Sequence, residues 1–586
     1  MPNKEPMQGW RRVTALAALL GGALLAGCQS RTDTSATGNT PAQFTHVFLT
    51  INQIWFNSSA TAAASDTSWA KFTLPAPATV DLVSLDNGTL SQFASGLKLA
   101  AGTYAQVIVV LADATDALSS SAGSLGAASN DEVDYLDIND VTHTVPLAIL
   151  NAAQGISIST SLTVAAPATS IGSAIGSGSG LTTTASTPTV TTSSSPAPTS
   201  STVANPAVST TATIVDFDAS RDLVAISLNG QPAYVLNPHP QNYDAKSSGS
   251  IQGAVSLAGV STLTTAGLPD VQVSAEALSS DGTRHVIVKT TRVDANGNFA
   301  LYPLSTAAGA PTAYDLVIHG PAVETVIIKS VPVATGAPGT GTVQMSTFSL
   351  APATAFLVNF NTGSPAAPTS SLVGFYQTLP LSAEVPYLIE TRAVDPISGL
   401  FASDQAISGG SVQYGSYVSG GSTITLTSAN PTQGAATYSI GALNAAFGTA
   451  ALGTTVSSPG NTTTTALFTM TPPALPTGSV ANAIAGTVTV ANTGAFDNAE
   501  LFLTYHGALV ATAPLNSHLG QSQSPLALAS VAPGGTTSSI YAAGVYNAEV
   551  WAWNSANPTG TLTRIPSTTT IDMSAGNASG VALNIQ

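Results

Sequence analysis

The densest charge in the 586-residue chain is an acidic stretch that could bind a cation. Asp131, Glu132, Asp134, Asp137 and Asp140 place five carboxylates within ten residues. Oxygen ligands at such close spacing suit Ca²⁺. The stretch has no glycine at its centre to turn the chain around an ion, and acidic runs are commonly hydrated surface. Calcium binding by Asp131, Glu132, Asp134 and Asp137 is one hypothesis, and a solvated acidic loop is the alternative.

A second pair of acids, Asp216 and Asp218, flanks Phe217. In a strand, residues two apart point to the same face, so the two carboxylates would lie side by side. Paired carboxylates can act as general acid and base. No further acid stands at a recognisable catalytic spacing, and the pattern fits a structural turn better.

Trp551 and Trp553 would share one face of a predicted strand with Glu549. Aromatic rings on an open face can stack against sugar rings, which makes these residues a candidate glycan-stacking platform. Large aromatic side chains also dominate the cores of β-sandwiches. A buried role is therefore the alternative, and the pattern favours it.

The remaining residue types give no sign of catalysis. The seven histidines are scattered without the short spacings of metal sites, so we predict no metal centre. Serine is abundant, but no Gly-x-Ser-x-Gly turn precedes a helical pattern. We therefore expect a protein that is not an enzyme and needs no cofactor.

The amino-terminal segment has the layout of a secretory signal. Basic residues precede an apolar run from Val13 to Ala26, which is too short to cross a membrane permanently. The run ends in Leu25-Ala26-Gly27-Cys28, which resembles the lipobox of bacterial lipoproteins. The resemblance implies that residues 1–27 are removed as a signal peptide and that Cys28 is lipidated. Gln29 after the cysteine favours the outer membrane.

Composition narrows the class of partner. The chain has 14 Lys and Arg against 30 Asp and Glu, so it lacks the basic surface that neutralises nucleic-acid phosphates. Cys28 is the single cysteine, which excludes a disulfide framework. Only 8% of the residues are charged, and the surface must be rich in hydroxyl groups. Expected partners are the membrane, through the lipid, and a polysaccharide or an envelope protein.

Alternating apolar residues separated by turn signals predict an all-β chain of tandem β-sandwich modules. Strands are expected at Phe44–Ile51, Thr79–Leu85 and Tyr104–Leu111, with a turn at Asn87-Gly88. A polar stretch, residues 28–43, is typical of a flexible tether. Residues 165–213 are almost only Ser, Thr, Ala, Pro, Gly and Val, which predicts a disordered insertion, with O-glycosylation as a further hypothesis.

Several motifs in order identify the first domain. These are Asp81-Leu82, Ala101-Gly102-Thr103-Tyr104, Val145-Pro146-Leu147, Asp216-Phe217-Asp218-Ala219 and Tyr234-Val235-Leu236. Over residues 44–240 the chain resembles the bacterial lipoprotein-associated domain of unknown function 4382. The resemblance implies an envelope location and supplies no chemistry.

The next segment, residues 248–340, has other landmarks. Leu268-Pro269-Asp270, Thr290-Thr291 and Asp294-Ala295-Asn296-Gly297 appear in an order that resembles the carboxypeptidase regulatory-like, transthyretin-type sandwich. The turn at Asp294–Gly297 should join two strands and return Phe299 to the core. In that family the module is a structural or binding appendage.

The rest of the chain is divided by composition. We predict a β-rich module at 343–471, a Pro-rich linker at 472–483 and a C-terminal sandwich at 484–586. The leading functional hypothesis is a non-enzymatic envelope lipoprotein that binds glycan or protein at the cell surface. A structural spacer or assembly component is the alternative, and a hydrolase is a distant third.

Overall fold

The structure is a computed structural model, and it describes the chain in a series of ranges. The described residues are 30–39, 44–113, 116–136, 141–150, 152–164, 210–228, 231–236, 238, 241–257, 271–320, 323–337, 343–345, 348–353, 355–356, 359–361, 372–393, 400–402, 407–418, 424–429, 437–444, 448–449, 454–457, 484–490, 496–505, 508–519, 524–528, 545–554, 563–572 and 578–585. The predictions for residues 1–27, Cys28, Asp137, the insertion up to residue 209 and the linker at 472–483 lie outside these ranges.

The first domain consists of strands that form two sheets around one core. Its strands are β1 (Ser30–Asn39), β2 (Phe44–Asn57), β3 (Ala70–Asp81), β4 (Ser91–Leu99), β5 (Gly102–Leu111), β6 (Glu132–Leu136), β7 (Thr142–Ile149), β8 (Ile156–Val164), β9 (Thr210–Asp218), β10 (Leu223–Leu228), β11 (Gln231–Leu236) and β12 (Gln241–Asp244). Short helices lie at α1 (Ser120–Leu125) and α2 (Ala219–Asp222), and 3-10 turns at Leu82–Leu85, Ala152–Gln154 and Ala245–Ser247.

The larger sheet has the strand order β10-β11-β7-β6-β2-β5-β8, with β3 paired to β2, and the smaller has the order β12-β9-β1-β4. β2 lies in the middle of the larger sheet and is buried on both faces. A bulge between Ile51 and Gln53 shifts its alternation by one residue, so Ile54 and Phe56 continue the inward face. On the other face α1 covers Phe48.

Three predicted boundaries in this domain are wrong. Residues 30–39 of the predicted tether form β1, which pairs with β4 and, in parallel, with β9. The predicted strand at Thr79–Leu85 ends at Asp81, because the Asp81 carboxylate caps the following 3-10 turn by accepting a hydrogen bond from the Val83 N–H. Residues 210–213, predicted as part of the insertion, begin β9.

The second module is a sandwich that begins directly after the first domain. Its strands are β13 (Ser248–Ser256), β14 (Gln272–Leu278), β15 (His285–Arg292), β16 (Asn298–Ser305), β17 (Ala313–His319), β18 (Val326–Pro332), β19 (Ala334–Thr335), β20 (Val343–Gln344) and β21 (Phe348–Ser349). The predicted turn at Asp294–Gly297 joins β15 to β16: the Asp294 carboxylate accepts hydrogen bonds from the Asn296 and Asn298 N–H groups, and Phe299 is buried.

The third region contains short strands, and some of them complete the second module. They are β22 (Ala355–Phe356), β23 (Asn359–Asn361), β24 (Leu372–Gln377), β25 (Tyr387–Ala393), β26 (Leu400–Ala402), β27 (Ile407–Ser408), β28 (Gln413–Ser416), β29 (Thr427–Ser428), β30 (Thr437–Asn444), β31 (Gly448–Thr449) and β32 (Thr454–Ser457). One sheet runs β15-β14-β17-β18-β28-β29. The predicted boundary between 340 and 343 is therefore wrong, since strands on both sides of it share sheets.

The C-terminal module has two sheets, ordered β36-β33-β39 and β35-β34-β37-β38. Its strands are β33 (Ile484–Val490), β34 (Asn498–Tyr505), β35 (Ala508–Pro514), β36 (Ser524–Leu528), β37 (Val545–Trp553), β38 (Thr563–Asp572) and β39 (Ala578–Ile585), with a 3-10 turn at Asn516–His518. The predicted all-β, multi-sandwich fold class is confirmed across the described modules. None of the helices in the described ranges is long and apolar enough to span a membrane.

Candidate functional site: a polar junction between domains

Charged side chains meet where the first domain contacts the second module. Lys289 of β15 places its Nζ atom 2.5 Å from Oδ1 of Asp216 in β9. The lysine side chain is 4% exposed and the aspartate side chain 7%, so the ion pair is withdrawn from water. The pair joins residues 73 positions apart in two different sandwiches.

The alternation of β9 explains why Asp216 reaches the junction. Phe217 points into the core of the first domain and is fully buried, so its neighbours point to the opposite face of the strand. Asp216 there meets Lys289, and the chain turns at Asp218, whose N–H donates to the Asp222 carboxylate. The Asp216 carboxylate thus pairs with the second module, and Asp218 stands where the strand ends in a turn.

The predicted Asn87-Gly88 turn forms the second part of the junction. Asn87 has a φ of 59° and Gly88 a φ of 71°, the left-handed backbone that this dipeptide tolerates. Asn87 N–H donates to Thr291 Oγ1 at 2.9 Å, and Thr291 Oγ1 donates to Asn87 Oδ1 at 3.2 Å. The Ala300 N–H also donates to Asn87 Oδ1, at 3.3 Å. The turn therefore docks onto two strands of the second module.

Arg292 supplies the third part of the junction. Its Nε atom lies 3.6 Å from Oδ2 of Asp86, and the two side chains are 16% and 10% exposed. Its Nη2 group donates to the Phe44 carbonyl oxygen at 3.4 Å, at the start of β2. We call these contacts of Asp86, Asn87 and Asp216 with Lys289, Thr291 and Arg292 the β15 junction.

The burial of the Lys289–Asp216 pair determines how much it contributes to stability. Removing two charges from water costs several kcal/mol, and their attraction returns that cost only when the geometry is good. A buried pair therefore adds little net stability, but it strongly disfavours any arrangement that leaves one charge unpaired. The junction thus favours arrangements of the first domain and the second module in which both charges of the Lys289–Asp216 pair stay paired.

The sequence analysis identified Asn87, Thr291 and Asp216 separately but did not connect them. A signal was present in β15, where Lys289 and Arg292 are two of only 14 basic residues in the chain. Isolated basic residues in a strand among Val, Ile and Thr are candidates for pairing with the acids of a neighbouring module. Which acids they meet depends on the docking of two modules.

The first two residues of the acidic stretch, Asp131 and Glu132, are buried, so they do not form a solvated loop. Asp131 is fully buried, and its Oδ1 accepts a hydrogen bond from the Thr50 N–H at 2.9 Å. Glu132 Oε2 accepts from the Ala128 and Ser129 N–H groups, each at 2.9 Å. Burial raises the pKa of both carboxyls, and for Asp131 the nearby charges of Asp113 and Asp116 add to the effect.

Asp134 stands opposite His46 in the pairing of β6 with β2, and Asp137 lies outside the described residues. Adjacent residues of a strand point to opposite faces, so Asp131 and Glu132 diverge. Among the described residues no group of three or more His, Cys, Asp and Glu is placed to hold a metal ion. For Asp131 and Glu132 the structure does not support the calcium hypothesis, because Oδ1 of Asp131 and Oε2 of Glu132 accept hydrogen bonds from backbone N–H groups of the first domain.

The proposed glycan platform is covered. Trp551 is fully buried and Trp553 is 8% exposed. Both rings pack with Phe502 of β34 in a cluster that includes Ala148, Ala233 and Val235 of the first domain. The Trp face, defined as Phe502, Trp551 and Trp553, thus contacts β7 and β11, and it is not an open stacking surface.

The Trp face also differs from the buried role expected in the sequence analysis. Val550 and Ala552 alternate with the tryptophans and are fully buried on the opposite face of β37. The tryptophans therefore lie on the outer face of their sheet, which points away from the core between the two sheets of the C-terminal module. The first domain covers this face. The C-terminal module and the second module both contact the first domain, so the modules do not form a simple linear series.

Comparisons with solved structures give weak likenesses. The chain is similar to the major pilin subunit BcpA of Bacillus cereus, with 12% identity, over 58% of this chain and 99% of that one, at a TM-score of 0.12. It is similar to two B repeat units of the collagen-binding protein of Staphylococcus aureus, with 8% identity, over 95% and 99% of the two chains, at a TM-score of 0.10. A streptococcal ancillary pilin gives 12% identity, 57% and 99% coverage and a TM-score of 0.12. Likenesses at TM-scores this low carry no argument about function.

No curated protein matches the chain significantly. A family model does match: residues 35–238 fit the family described as Domain of unknown function (DUF4382). The match covers β1 from its middle onward, both Asp216 and Asn87 of the β15 junction, and β11 of the Trp contact. The first domain of this chain is a DUF4382 domain.

Proposed function

We propose that this protein is a non-enzymatic lipoprotein of the cell envelope that works as a structural or assembly component. Its DUF4382 domain acts as the hub on which the other modules are fixed. The observation that carries the proposal is the buried Lys289–Asp216 ion pair, supported by the Asn87–Thr291 contacts. A buried ion pair and hydrogen bonds to a turn fix two domains against each other, which is what a structural component requires.

The location follows from the amino-terminal sequence. Leu25-Ala26-Gly27-Cys28 after a short apolar run is the pattern of a lipidated cysteine. β1 begins at Ser30, two residues after Cys28, so a lipid on this cysteine would hold the hub domain close to the membrane surface. A hub at the membrane with fixed modules suits a protein that positions other envelope parts.

Binding of a glycan or an envelope protein is the second candidate. The observation that favours it is the position of Trp551 and Trp553 on the second face of their sheet, outside the core between the two sheets of the C-terminal module. A glycan could stack on these rings only after the C-terminal module separates from the first domain. The structural role needs no such separation.

The orientation of the modules can be measured directly, because Cys28 is the single cysteine. In a Cys28→Ala background, spin labels at Leu90 in the first domain and Leu278 in the second module would report their separation. Both side chains are exposed, at 37% and 56%. Leu118 and Leu125, both exposed in the first domain, form the control pair.

A fixed hub predicts that the Leu90–Leu278 distance distribution is as narrow as the control, and that Asp216→Ala broadens it. A broad distribution in the unaltered junction would contradict a fixed orientation. The anchor is tested separately by membrane fractionation of cells that produce the natural chain or Cys28→Ala. Release of the variant as soluble protein is expected, whereas equal membrane retention would remove the lipid from the proposal.

A further inference from the structure

A carboxylic acid is buried in the second module on β14, the strand that pairs with β15. Glu276 of β14 is 1% exposed. Its neighbour Ala275 points into the sandwich core, so Glu276 points to the opposite face of the sheet. There it stands opposite Asp315 of β17 in the strand pairing.

The hairpin of β24 and β25 covers this face. Tyr387 of β25 is fully buried, and its ring stacks on the His285 ring with centroids 3.9 Å apart and planes 11° apart. The Tyr387 hydroxyl donates to Asp315 Oδ2 at 2.8 Å. The backbone N–H of His285 donates to the Pro386 carbonyl oxygen at 2.8 Å. The hairpin is therefore seated on the second module by polar contacts around Glu276.

The basic groups near Glu276 are committed to other acids. Lys329 of β18 pairs with Glu384, which lies in the connection between β24 and β25. Arg284 Nη2 lies 3.8 Å from Asp281 Oδ2. The Arg284 side chain also contacts the buried Tyr376 of β24. Within the described ranges neither oxygen of Glu276 has a hydrogen-bond donor of normal geometry. The backbone N–H of Leu388, in the hairpin, interacts with the Glu276 carboxyl and favours its ionised form.

We propose that Glu276 is a proton-dependent latch: the hairpin stays seated while this carboxyl carries a proton, and it lifts from the second module when the carboxyl ionises. An unpaired ionised carboxylate is costly inside a protein and is hydrated at once when the hairpin lifts. A neutral carboxyl has no such cost. Lifting would expose β14 and β17, with Asp315 among their acidic side chains.

Burial raises the pKa of Glu276 well above its usual value, and the Asp315 charge adds to this. A group whose pKa is higher in the seated state stabilises that state fully below its unseated pKa and loses the contribution as pH rises through the seated pKa. Burial lowers the pKa of His285, so protonation of this ring opposes seating below about pH 6.5. The two effects oppose each other below about pH 6.5, where the unseated His285 ring takes up a proton.

The test is hydrogen exchange of the full chain carrying Cys28→Ala, followed in peptides from residues 372–393 from acid to alkaline pH. Comparing it with Glu276→Gln at each pH cancels the intrinsic pH dependence of exchange. Glutamine keeps the size of the side chain and cannot ionise. Peptides from β5, in the core of the first domain, are the internal control.

The latch predicts that the seating equilibrium of the natural residue weakens with rising pH, by at most about tenfold per pH unit, until the pH passes the raised pKa of Glu276, and that Glu276→Gln removes this slope. Equal slopes in the two chains would overturn the proposal. If Glu276→Gln disturbs β5, Asp315→Asn replaces it: losing the neighbouring charge lowers the Glu276 pKa, so the slope must end at a lower pH. If the slope ends at the same pH in Asp315→Asn as in the natural residue, the latch is overturned as well.

Discussion

Lys289 and Asp216 form a buried ion pair at 2.5 Å that links the edge strand of one sandwich to an inner strand of another. Each charge is stable in its place only because the other is there. We therefore expect the relative orientation of the two domains to depend on these two side chains.

Removing one partner of this pair should cost much more than removing both. We expect Asp216→Ala to destabilise the docked state by about 3–5 kcal/mol, because Lys289 is left as a buried, unpaired charge. The double variant Asp216→Leu with Lys289→Met should recover most of that loss. Hydrogen exchange of β15 in the natural chain and the two variants measures the effect, and a double variant that loses at least as much as Asp216→Ala would contradict the coupling of the two charges.

The Asn87 turn offers a finer change at the same junction. Asn87→Gly keeps the left-handed backbone but removes the oxygen that accepts from Thr291 and Ala300, so we expect a loss of about 1 kcal/mol. Thr291→Val removes the other side of the contact while preserving shape. In a double-mutant cycle read by hydrogen exchange, the double variant should lose little more than either single variant. Full additivity would rule out the contact.

Trp551 separates the structural role from glycan binding. Trp551→Ala should cost about 3–5 kcal/mol, because a fully buried ring is lost between the C-terminal module and the first domain. Exchange in β7 and β11 should then rise, and retention on polysaccharide should not change. Val545→Ala, at a half-exposed position in the same strand, is the control. Loss of retention with unchanged exchange in β7 would favour the binding role.

Two glycines distinguish backbone strain from collision. Gly282 has a φ of +69° and open space where a Cβ would lie, whereas at Gly297, with a φ of +86°, a Cβ would lie 2.1 Å from the Val255 carbonyl oxygen. Gly282→Ala should cost roughly 1–2 kcal/mol from the left-handed backbone alone. Gly297→Ala should add about 1–3 kcal/mol of overpacking. Thermal unfolding compares them, and equal losses would contradict the close approach of β13 to this turn.

Asp131 gives a pH dependence of known sign. Its pKa is raised in the folded chain by burial, so its contribution to stability is present below about pH 3.9 and is lost as pH rises through the folded pKa. Asp131→Asn should therefore gain stability over the natural chain at neutral pH, and the gain should shrink in acid. Melting temperatures of both chains across this range test the effect. A constant difference at all pH values would show that Asp131 does not titrate with folding.

The sequence by itself determined the local features of this protein. Alternation predicted the strands, and Asn87-Gly88 and Asp294–Gly297 predicted turns that the structure contains. The motifs of the first domain were sufficient to identify its family. These features depend on residues close together in the chain, where steric and hydrogen-bonding preferences act over a few positions.

Tertiary structure decided what each polar residue does. Asp131 has the sequence pattern of a surface acid, yet the chain entering β6 carries it into the first domain beside Thr50. Trp551 lies on the second face of its sheet and is buried because another domain covers it. Lys289 meets Asp216 only through docking. Burial and pairing between distant segments depend on how complete modules pack, and local sequence preferences carry no information about that packing.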